Sequence, residues 1–371
     1  MKKRNQKFMQ AAIALAKKGI GKTSPNPAVG AVIVKNDRII GKGYHKKAGL
    51  AHAEINALRE AGREARGADV YATLEPCNRF GRTPPCADAI IKAGIKSVYV
   101  GMKDPNPLIR GAGIRHLRNA GINVEDEILI KESADINRPY IKYITTKKPF
   151  VTLKLASTID GRIATQAAES KWITGKEARK FAHKMRSNAD AVMVGIGTIL
   201  KDDPELTVRL IKGKNPIKIV VDNRLRIPIN AKVLNPKKGD VIIATTKGRG
   251  QKSEARSQRN KKIKTLKAKG AEVLMLPSKM GEVDLIALMK ELGKKEITSL
   301  IVEGGSRLAA SAIKEGIVDK VAVFYAPKIL GKEGLPMIGE LAIKRLKDAI
   351  GLSELKCRKV GEDILVEGYL K

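Results

Sequence analysis

The chain has 371 residues, 43% of them hydrophobic and only 4% aromatic, so it is long enough for about two domains with mainly aliphatic cores. Its three cysteines are too few for a disulfide framework, and they favour a reducing, cytoplasmic location. No apolar run approaches the ~20 residues of a membrane span, so membrane-spanning classes are excluded and no membrane partner is expected.

The formal net charge of +34 at pH 7 raises the question of nucleic-acid binding. The basic residues are spread through most of the chain, however, and aromatic residues that could stack on bases are few. The densest basic segment, residues 247–269, is typical of a solvated loop entering a lysine-rich helix. A lysine-rich proteome or a phosphorylated substrate explains the charge more simply, so no nucleic-acid partner is expected.

The first elements in chain order predict an α/β layer domain. Apolar residues at helical spacing between positions 8 and 16 favour an amphipathic first helix over a signal peptide. A proline-pinned loop at 24–27 precedes a strand at 31–34, and a turn reverses that strand into another at 38–41. Strands then alternate with helices as far as a short strand at 122–124.

Three candidate zinc ligands lie in this first half, namely His52, Cys77 and Cys86. A neutral imidazole and two thiolates leave the fourth position of Zn²⁺ open for a water molecule, which then loses a proton near neutral pH. Glu54 lies two residues after the histidine, so it can reach that water without being a ligand. Zinc-dependent base deaminases use this arrangement, and their glutamate transfers the protons.

A structural histidine with two buried cysteines is the alternative interpretation of these residues. The surrounding pattern favours the metal site. Glu54 opens one helical run, Cys86 opens another, and a strand at 70–74 leads into Cys77. Helix N-termini carry positive potential that lowers the pKa of thiols. The predicted reaction is therefore hydrolytic removal of an exocyclic amine from a pyrimidine-like ring.

The pattern restarts near residue 148, which predicts two domains, 1–147 and 148–371. The second half again alternates strands with helices and ends in a hairpin around 361–363. Its predicted strands include 150–156, 189–195, 217–222, 240–245 and 299–303.

Two glycine-bearing strand exits in the second half, Gly195–Gly197 and Gly304–Gly305, suggest a nucleotide cleft. Paired glycines let a backbone approach a phosphate, and a helix N-terminus supplies N–H donors. Each exit alone could be a structural turn, but two in one α/β domain favour a cleft. No Rossmann or Walker motif is present. Lys154, Arg186 and Arg209 are candidate phosphate or substrate partners, although a single arginine in so basic a chain is usually a solvated surface residue.

The whole chain resembles the bifunctional riboflavin-biosynthesis deaminase–reductases. In the first half the resemblance rests on four stretches, 23–30, 52–54, 73–77 and 81–86. In the second half it rests on 157–161, 172–175, 194–198, 202–204 and 303–305.

The resemblance implies a cytidine-deaminase-like α/β/α domain with zinc, followed by a dihydrofolate-reductase-like α/β domain that uses NADPH. It implies two consecutive reactions on a phosphorylated small-molecule pyrimidine. The 2-amino group of 2,5-diamino-6-(5-phosphoribosylamino)pyrimidin-4(3H)-one is first removed by hydrolysis, giving 5-amino-6-(5-phosphoribosylamino)uracil and ammonia. The ribosyl group is then reduced to ribityl. A homo-oligomer formed through the reductase domain is also expected.

The same resemblance implies roles for particular residues. The deaminase substrate is held by Asn26, His45 and Arg82. The NADPH site is lined by Ala156, Trp172, Thr198, Asp202, Asn223 and the run Gly305, Ser306, Arg307, Leu308, Ala309, Ala310 and Ser311. The reductase substrate is faced by Ser170, Arg186, Leu206, Arg209 and Glu303.

The chain departs from the family at Asn78-Arg79, where the family usually has Ser-His. Arg79 is a longer, fixed cation that can contact a phosphate or a carbonyl instead. Three alternatives to a working bifunctional enzyme remain open at this point. They are a deaminase acting on a base within RNA, a protein with one inactive domain, and a non-catalytic RNA-binding scaffold.

Overall fold

The structure is a computed structural model that describes residues 2–80, 84–167, 169–247 and 253–371. The chain divides into two compact units, Met1–Lys147 and Lys148–Lys371. In the described part of the chain, no helix has the length and apolar character needed to cross a membrane.

The first unit alternates helices and strands, and its first helix and opening hairpin confirm the predicted elements. In chain order the described elements are α1 (Lys2–Ala16), β1 (Gly30–Lys35), β2 (Arg38–Tyr44), α2 (Ala53–Ala61), β3 (Asp69–Ala72), α3 (Cys86–Lys92), β4 (Ser97–Val100), α4 (Ala112–Asn119), β5 (Asn123–Glu125) and α5 (Ile130–Thr146).

The described strands of this unit form one sheet in the order β2-β1-β3-β4-β5. Strand β1 is antiparallel to β2 and β3, whereas β3, β4 and β5 are parallel. Alternate residues of β1 point to opposite faces, so Ile33 packs with α2 and α3 while Val32 packs with α1. Both faces are therefore covered, as the predicted α/β/α domain requires.

The second unit has more strands and a separate core. In chain order the described elements are β6 (Phe150–Thr158), β7 (Arg162–Ala164), α6 (Lys176–Asn188), β8 (Ala191–Gly195), α7 (Ile196–Asp202), β9 (Ile217–Val221), β10 (Val241–Thr246), α8 (Ser253–Ala268), β11 (Ala271–Leu276), β12 (Ser278–Lys279), β13 (Glu282–Val283), α9 (Leu285–Lys294), β14 (Ser299–Val302), α10 (Ser306–Lys314), β15 (Lys320–Ala326), β16 (Leu335–Pro336), β17 (Leu352–Val360) and β18 (Asp363–Leu370).

The main sheet of this unit runs β11-β10-β9-β8-β14-β6-β15-β18-β17 through the described residues. In this order, neighbouring strands from β11 through β15 are parallel to one another. The C-terminal hairpin of β17 and β18 adds an antiparallel edge. Val220 and Ile219 of β9 pack into the two opposite faces, so both faces are buried. Because β8 and β14 are parallel neighbours, their glycine-bearing exits lie at the same edge of the sheet.

Candidate active sites

His52, Cys77 and Cys86 come together in the first unit, with one potential ligand atom of each within 4.8 Å of the others. The His52 Nδ1 atom lies 3.2 Å from Cys86 Sγ and 3.6 Å from Cys77 Sγ. Tetrahedral zinc with ordinary Zn–N and Zn–S bonds separates such donors by about 3.5 Å. The predicted residues thus lie at spacings that fit zinc.

Local backbone contacts place each of these side chains. His52 is the residue directly before α2, and α2 packs on the strand backbone at Gly43, where a Cβ atom would clash with the Ala53 carbonyl. Cys86 is the first residue of α3, and the 77–86 loop is closed by its neighbours. The backbone N–H of Cys86 donates to Cys77 Sγ at 3.4 Å, and the N–H of Ala87 donates to the Cys77 carbonyl at 3.0 Å.

The pKa values of the two cysteine thiols are shifted in opposite directions. Hydrogen bonding from the Cys86 thiol, together with His52, lowers the pKa of Cys77 to about 4. Hydrogen bonding to Cys77, together with burial, raises the pKa of Cys86. Without a metal ion, therefore, only one of the two cysteines is held as a thiolate. A divalent cation among the three donors would stabilise both as thiolates, which is the donor set that zinc prefers.

Glu54 lies in the first turn of α2, 3% exposed, and its carboxylate interacts electrostatically with His52, Cys77 and Cys86. Burial raises the pKa of Glu54 to about 7. The carboxylate is therefore beside the ligand atoms and shielded from bulk water. A group in this position can exchange protons with whatever occupies the open coordination position.

Asn26 and His45 form a hydrogen-bonded pair beside the zinc ligands. The His45 ring packs edge-on against the His52 ring, with 5.2 Å between centroids. The His45 Nδ1 atom faces the Ala51 carbonyl at 3.2 Å, so Nδ1 carries the proton and Nε2 is the acceptor. The Asn26 amide donates to that Nε2 at 3.2 Å. This leaves Asn26 Oδ1 as an acceptor that no described residue uses.

Of the remaining predicted substrate residues in this unit, Arg82 lies outside the described residues. Arg79 is exposed. Beside it, the amide oxygen of Asn78 is buried and has no partner among the described residues.

Two buried polar residues that the sequence did not indicate support this site. Glu75, 3% exposed, accepts backbone N–H bonds from Asp104, Gly111 and Gly113 at 2.9–3.1 Å. It thereby ties the segment before Cys77 to the start of α4. Asn137 of α5 binds the backbone of the loop that holds Asn26. Their polarity at core positions was the available signal, but it does not reveal which distant backbone each residue contacts.

In the second unit, Arg186 of α6 and Glu303 form a bidentate ion pair. The Nε–Oε1 and Nη2–Oε2 distances are 2.8 and 2.7 Å. Although burial acts in the opposite direction, Arg186 and the nearby Lys154 lower the pKa of Glu303 to about 2. Burial lowers the pKa of Lys154, a residue of the central strand β6. A fixed carboxylate and a buried amine thus share one end of the sheet.

His183 belongs to the same group of charges. Its Nδ1 atom accepts the backbone N–H of Arg209 at 3.1 Å. Burial, then Arg186 and Arg209, lower the pKa of His183 to about 4. The Arg209 side chain is exposed and makes no ion pair with the described acidic residues. Arg186, Glu303 and the Arg209 backbone thus lie around His183, whereas Leu206 is 2% exposed and its side chain packs in the core.

The two glycine-bearing turns that were predicted to bind a nucleotide are in contact at Gly304. This residue has φ +106°, and a Cβ atom there would lie 2.6 Å from the Thr198 hydroxyl of α7. At Gly305, directly before α10, a Cβ atom would meet nothing within 4 Å. The turn between β14 and α10 therefore combines open space with the free N–H groups of a helix start. That combination fits a cofactor phosphate.

The other predicted cofactor residues divide into two groups. Asp202 accepts a hydrogen bond from the Ser170 hydroxyl at 3.3 Å, and Trp172 is 59% exposed under the Arg179 guanidinium. The Asn223 amide is already used, because it donates to Glu282 and accepts from the Val283 N–H. Core or half-buried positions are held by Ala156, Leu308, Ala309, Ala310 and Ser311, whereas Ser306 and Arg307 start the helix.

Comparison with known proteins identifies the family. Residues 149–366 match the model of the RibD C-terminal domain, and residues 2–102 match that of the cytidine and deoxycytidylate deaminase zinc-binding region. The chain is 46% identical to the riboflavin biosynthesis protein RibD of Aquifex aeolicus over 363 residues, covering 98% of this chain and 97% of that one. The chain belongs to the RibD family.

Other RibD proteins agree. The Escherichia coli protein is 38% identical, with 96% of this chain and 97% of the relative covered. The structure of Acinetobacter baumannii RibD matches with a TM-score of 0.88 and 37% identity, and each chain is fully covered. A Thermotoga maritima diaminohydroxyphosphoribosylaminopyrimidine deaminase/5-amino-6-(5-phosphoribosylamino)uracil reductase matches with a TM-score of 0.85 and 36% identity over 100% of this chain and 99% of that one.

RibD membership confirms the predicted fold classes and the predicted function, a bifunctional deaminase–reductase of riboflavin biosynthesis. It also confirms zinc and NADPH as the cofactors. A small-molecule pyrimidine is accordingly the substrate class.

Proposed function

We propose that the first unit, 1–147, deaminates 2,5-diamino-6-(5-phosphoribosylamino)pyrimidin-4(3H)-one and that the second, 148–371, reduces the resulting uracil derivative with NADPH. The observation that carries the first assignment is the convergence of His52, Cys77 and Cys86 with the buried carboxylate of Glu54. These three ligands would hold zinc, which activates water as a nucleophile when bound.

Glu54 is the proposed proton carrier. Its carboxylate lies beside the ligand atoms and is shielded from solvent. It accepts one proton from the attacking water and delivers it to the ring nitrogen. It then takes the second proton of that water from the new hydroxyl group and gives it to the departing amine, which leaves as ammonia while the carbonyl forms. One residue is thus proposed to perform each proton transfer in turn.

Asn26 and His45 are proposed to orient the pyrimidine. Because His45 fixes the amide nitrogen of Asn26, the oxygen is presented to the substrate as an acceptor for an N–H group. Arg79 and Arg82 are proposed to bind the ribose phosphate, where a guanidinium is a suitable partner. This assigns Arg79 the place of the histidine usual in the family.

The reductase reaction is assigned to the end of the sheet where Arg186, Glu303 and Lys154 meet. NADPH supplies the hydride. The turn at Gly304–Gly305 would hold a cofactor phosphate, and the cofactor site would also include Ala156, Trp172, Thr198, Asp202, Asn223 and residues 306–311. Lys154 is a buried amine with a lowered pKa near Glu303, which suits a proton donor to the sugar oxygen as the ring opens.

Ser170, Arg186, Leu206, Arg209 and Glu303 are the residues proposed to face the reductase substrate. Arg209 has the free cation that a phosphate group requires. Leu206 would contribute through its backbone, because its side chain lies in the core.

A homo-oligomer formed through the reductase unit, and a cytoplasmic location, complete the proposal. The segment before and within the edge strand β17 exposes several large apolar side chains, with Leu346 at 91% and Leu355 at 62% exposure. An apolar edge of this kind is typical of subunit interfaces. Sedimentation velocity measures the assembly directly.

The deaminase assignment is tested with Glu54→Gln in zinc-loaded protein. Loss of the proton carrier should lower the rate of ammonia release by at least about 10³-fold and leave zinc content unchanged. Reduction of separately supplied 5-amino-6-(5-phosphoribosylamino)uracil should continue, as followed by NADPH absorbance. Undiminished ammonia release would refute the assignment of Glu54.

A further inference from the structure

Helix α5 presents a row of buried polar side chains to the interior of the first unit. Ser133, Asn137 and Tyr140 lie on one helix face and are 0%, 2% and 9% exposed. Apolar residues usually occupy such positions, because burying a polar group is unfavourable unless it is hydrogen-bonded. Each of these side chains therefore needs a hydrogen-bond partner, and Asn137 makes two hydrogen bonds to one residue.

Asn137 binds both polar groups of the Ala28 backbone. Its Oδ1 atom accepts the Ala28 N–H at 2.8 Å, and its Nδ2 atom donates to the Ala28 carbonyl at 3.0 Å. The two residues are 109 positions apart in the chain, and Ala28 is 5% exposed. A side-chain amide that pairs both backbone groups of one residue fixes the position and the direction of that peptide.

The clamped peptide lies two residues after Asn26. Other hydrogen bonds also hold this loop. The Asn26 backbone N–H bonds to the Thr23 carbonyl at 2.8 Å, and the Asn26 amide bonds to His45 at 3.2 Å. Beyond Ala28, the Val29 carbonyl accepts the His45 backbone N–H at 2.9 Å. Ala28 is thus the point at which the Asn137 side chain of α5 attaches to this loop.

We infer that Asn137 is a positioning residue for the deaminase reaction, acting through Ala28 to place the free Asn26 oxygen against the pyrimidine. The inference rests on the proposed role of Asn26 in binding substrate. It separates orientation of the substrate, set by α5, from the zinc and proton chemistry, set by α2 and α3. The hydrogen bonds of the Asn137 side chain go to the Ala28 backbone and not to a candidate zinc ligand.

The test is a double-mutant cycle of Asn137→Ala and Asn26→Ala, measured as kcat and KM for ammonia release. Each single variant should raise KM about tenfold, the equivalent of one lost hydrogen bond to the substrate. The change in kcat should be small and zinc should stay stoichiometric. In the Asn26→Ala background, Asn137→Ala should add less than about twofold, because both changes remove the same contact.

Ser133→Ala is the matched control, since Ser133 lies one turn earlier on the same buried face and its hydroxyl has no partner among the described residues. It should leave KM unchanged. Asn137→Gln, taken through the same cycle, keeps an amide one methylene farther out and serves if Asn137→Ala does not fold. Stoichiometric zinc reports that the first unit is folded, and reduction by the second unit of the same chain reports the amount of protein.

The outcomes separate the two ideas. A raised KM for Asn26→Ala with an unchanged KM for Asn137→Ala, or multiplying effects in the double variant, would overturn the positioning role alone. An unchanged KM for Asn26→Ala would overturn the substrate role of Asn26 and the positioning role with it. A fall in kcat together with loss of zinc would show that Asn137 merely maintains the fold.

Discussion

His183 is a neutral histidine held in a cationic environment. Burial disfavours its protonation most strongly, Arg186, Arg209 and Lys154 add to this effect, and Glu303 acts in the opposite direction. Its Nδ1 atom is also occupied as an acceptor of the Arg209 N–H, so protonation there would break a hydrogen bond. Because the unfolded chain binds this proton near pH 6.5 and the folded chain near 4, stability must fall as the pH drops through that interval.

We expect His183→Asn to remove this part of the pH dependence of the stability, while its amide oxygen can still accept the Arg209 N–H. Between pH 7 and pH 5 the wild-type protein should lose about 2 kcal/mol more unfolding free energy than the variant. Urea denaturation followed by the fluorescence of Trp172, the single tryptophan and a residue of the second unit, measures the difference. Equal losses would mean that His183 titrates normally in the folded protein.

Residues whose role follows from their own chemistry were accessible from the sequence, and residues that act through geometry were not. The spacing of His52, Cys77 and Cys86 predicted a metal site because few other functions need those residue types together. Glu75 and Asn137 bind backbone groups rather than side chains, so no motif marks their partners. Leu206 was predicted from the resemblance alone, and because its side chain lies in the core, its backbone is the part left to face a substrate.

At the scale of elements, the turn from β14 to α10 is built from two glycines with different reasons to be glycine. Gly304 needs its φ of +106° and its contact with Thr198. Gly305 has an ordinary backbone conformation, with φ −74° and ψ 156°, and empty space at its Cβ position. The fold therefore requires glycine at the first position, whereas only a ligand would require it at the second.

Gly305→Ala should consequently leave the unfolding curve unchanged and weaken NADPH binding about tenfold or more, because the methyl group would occupy the cofactor's space. Isothermal titration with NADPH measures the affinity without turnover. Gly304→Ala provides the contrast, since it should destabilise the unit as well. If Gly305→Ala binds NADPH like the wild type, the cofactor lies elsewhere.

Strong periodicity and turn chemistry predicted many elements, including α1, the hairpin of β1 and β2, and the C-terminal hairpin. Helix α5 was missed because Pro139 and a buried polar row interrupt the apolar pattern that marks a helix. The strand predicted at 70–74 ends at Ala72, since Glu75 turns away to bind α4. Such differences depend on contacts between distant segments, which local patterns do not contain.

For the whole molecule, the two sets of functional residues belong to separate compact units with separate cores. Every candidate zinc ligand lies in Met1–Lys147, and every candidate reductase residue lies in Lys148–Lys371. A unit with its own core can in principle keep its structure when the other is disturbed. The net charge of +34 is distributed over both units and suits the phosphorylated substrates proposed for them.

Zinc removal should therefore silence one activity and spare the other. After chelation and buffer exchange, ammonia release from the diaminopyrimidine should be lost. The two cysteines then share one negative charge and cannot lower the pKa of a water molecule as zinc does. Oxidation of NADPH by separately supplied 5-amino-6-(5-phosphoribosylamino)uracil should persist at the untreated rate. Restoring Zn²⁺ should restore ammonia release, which controls for damage by the chelator. Joint loss of both activities would instead mean that the second unit depends on the metal-bound state of the first.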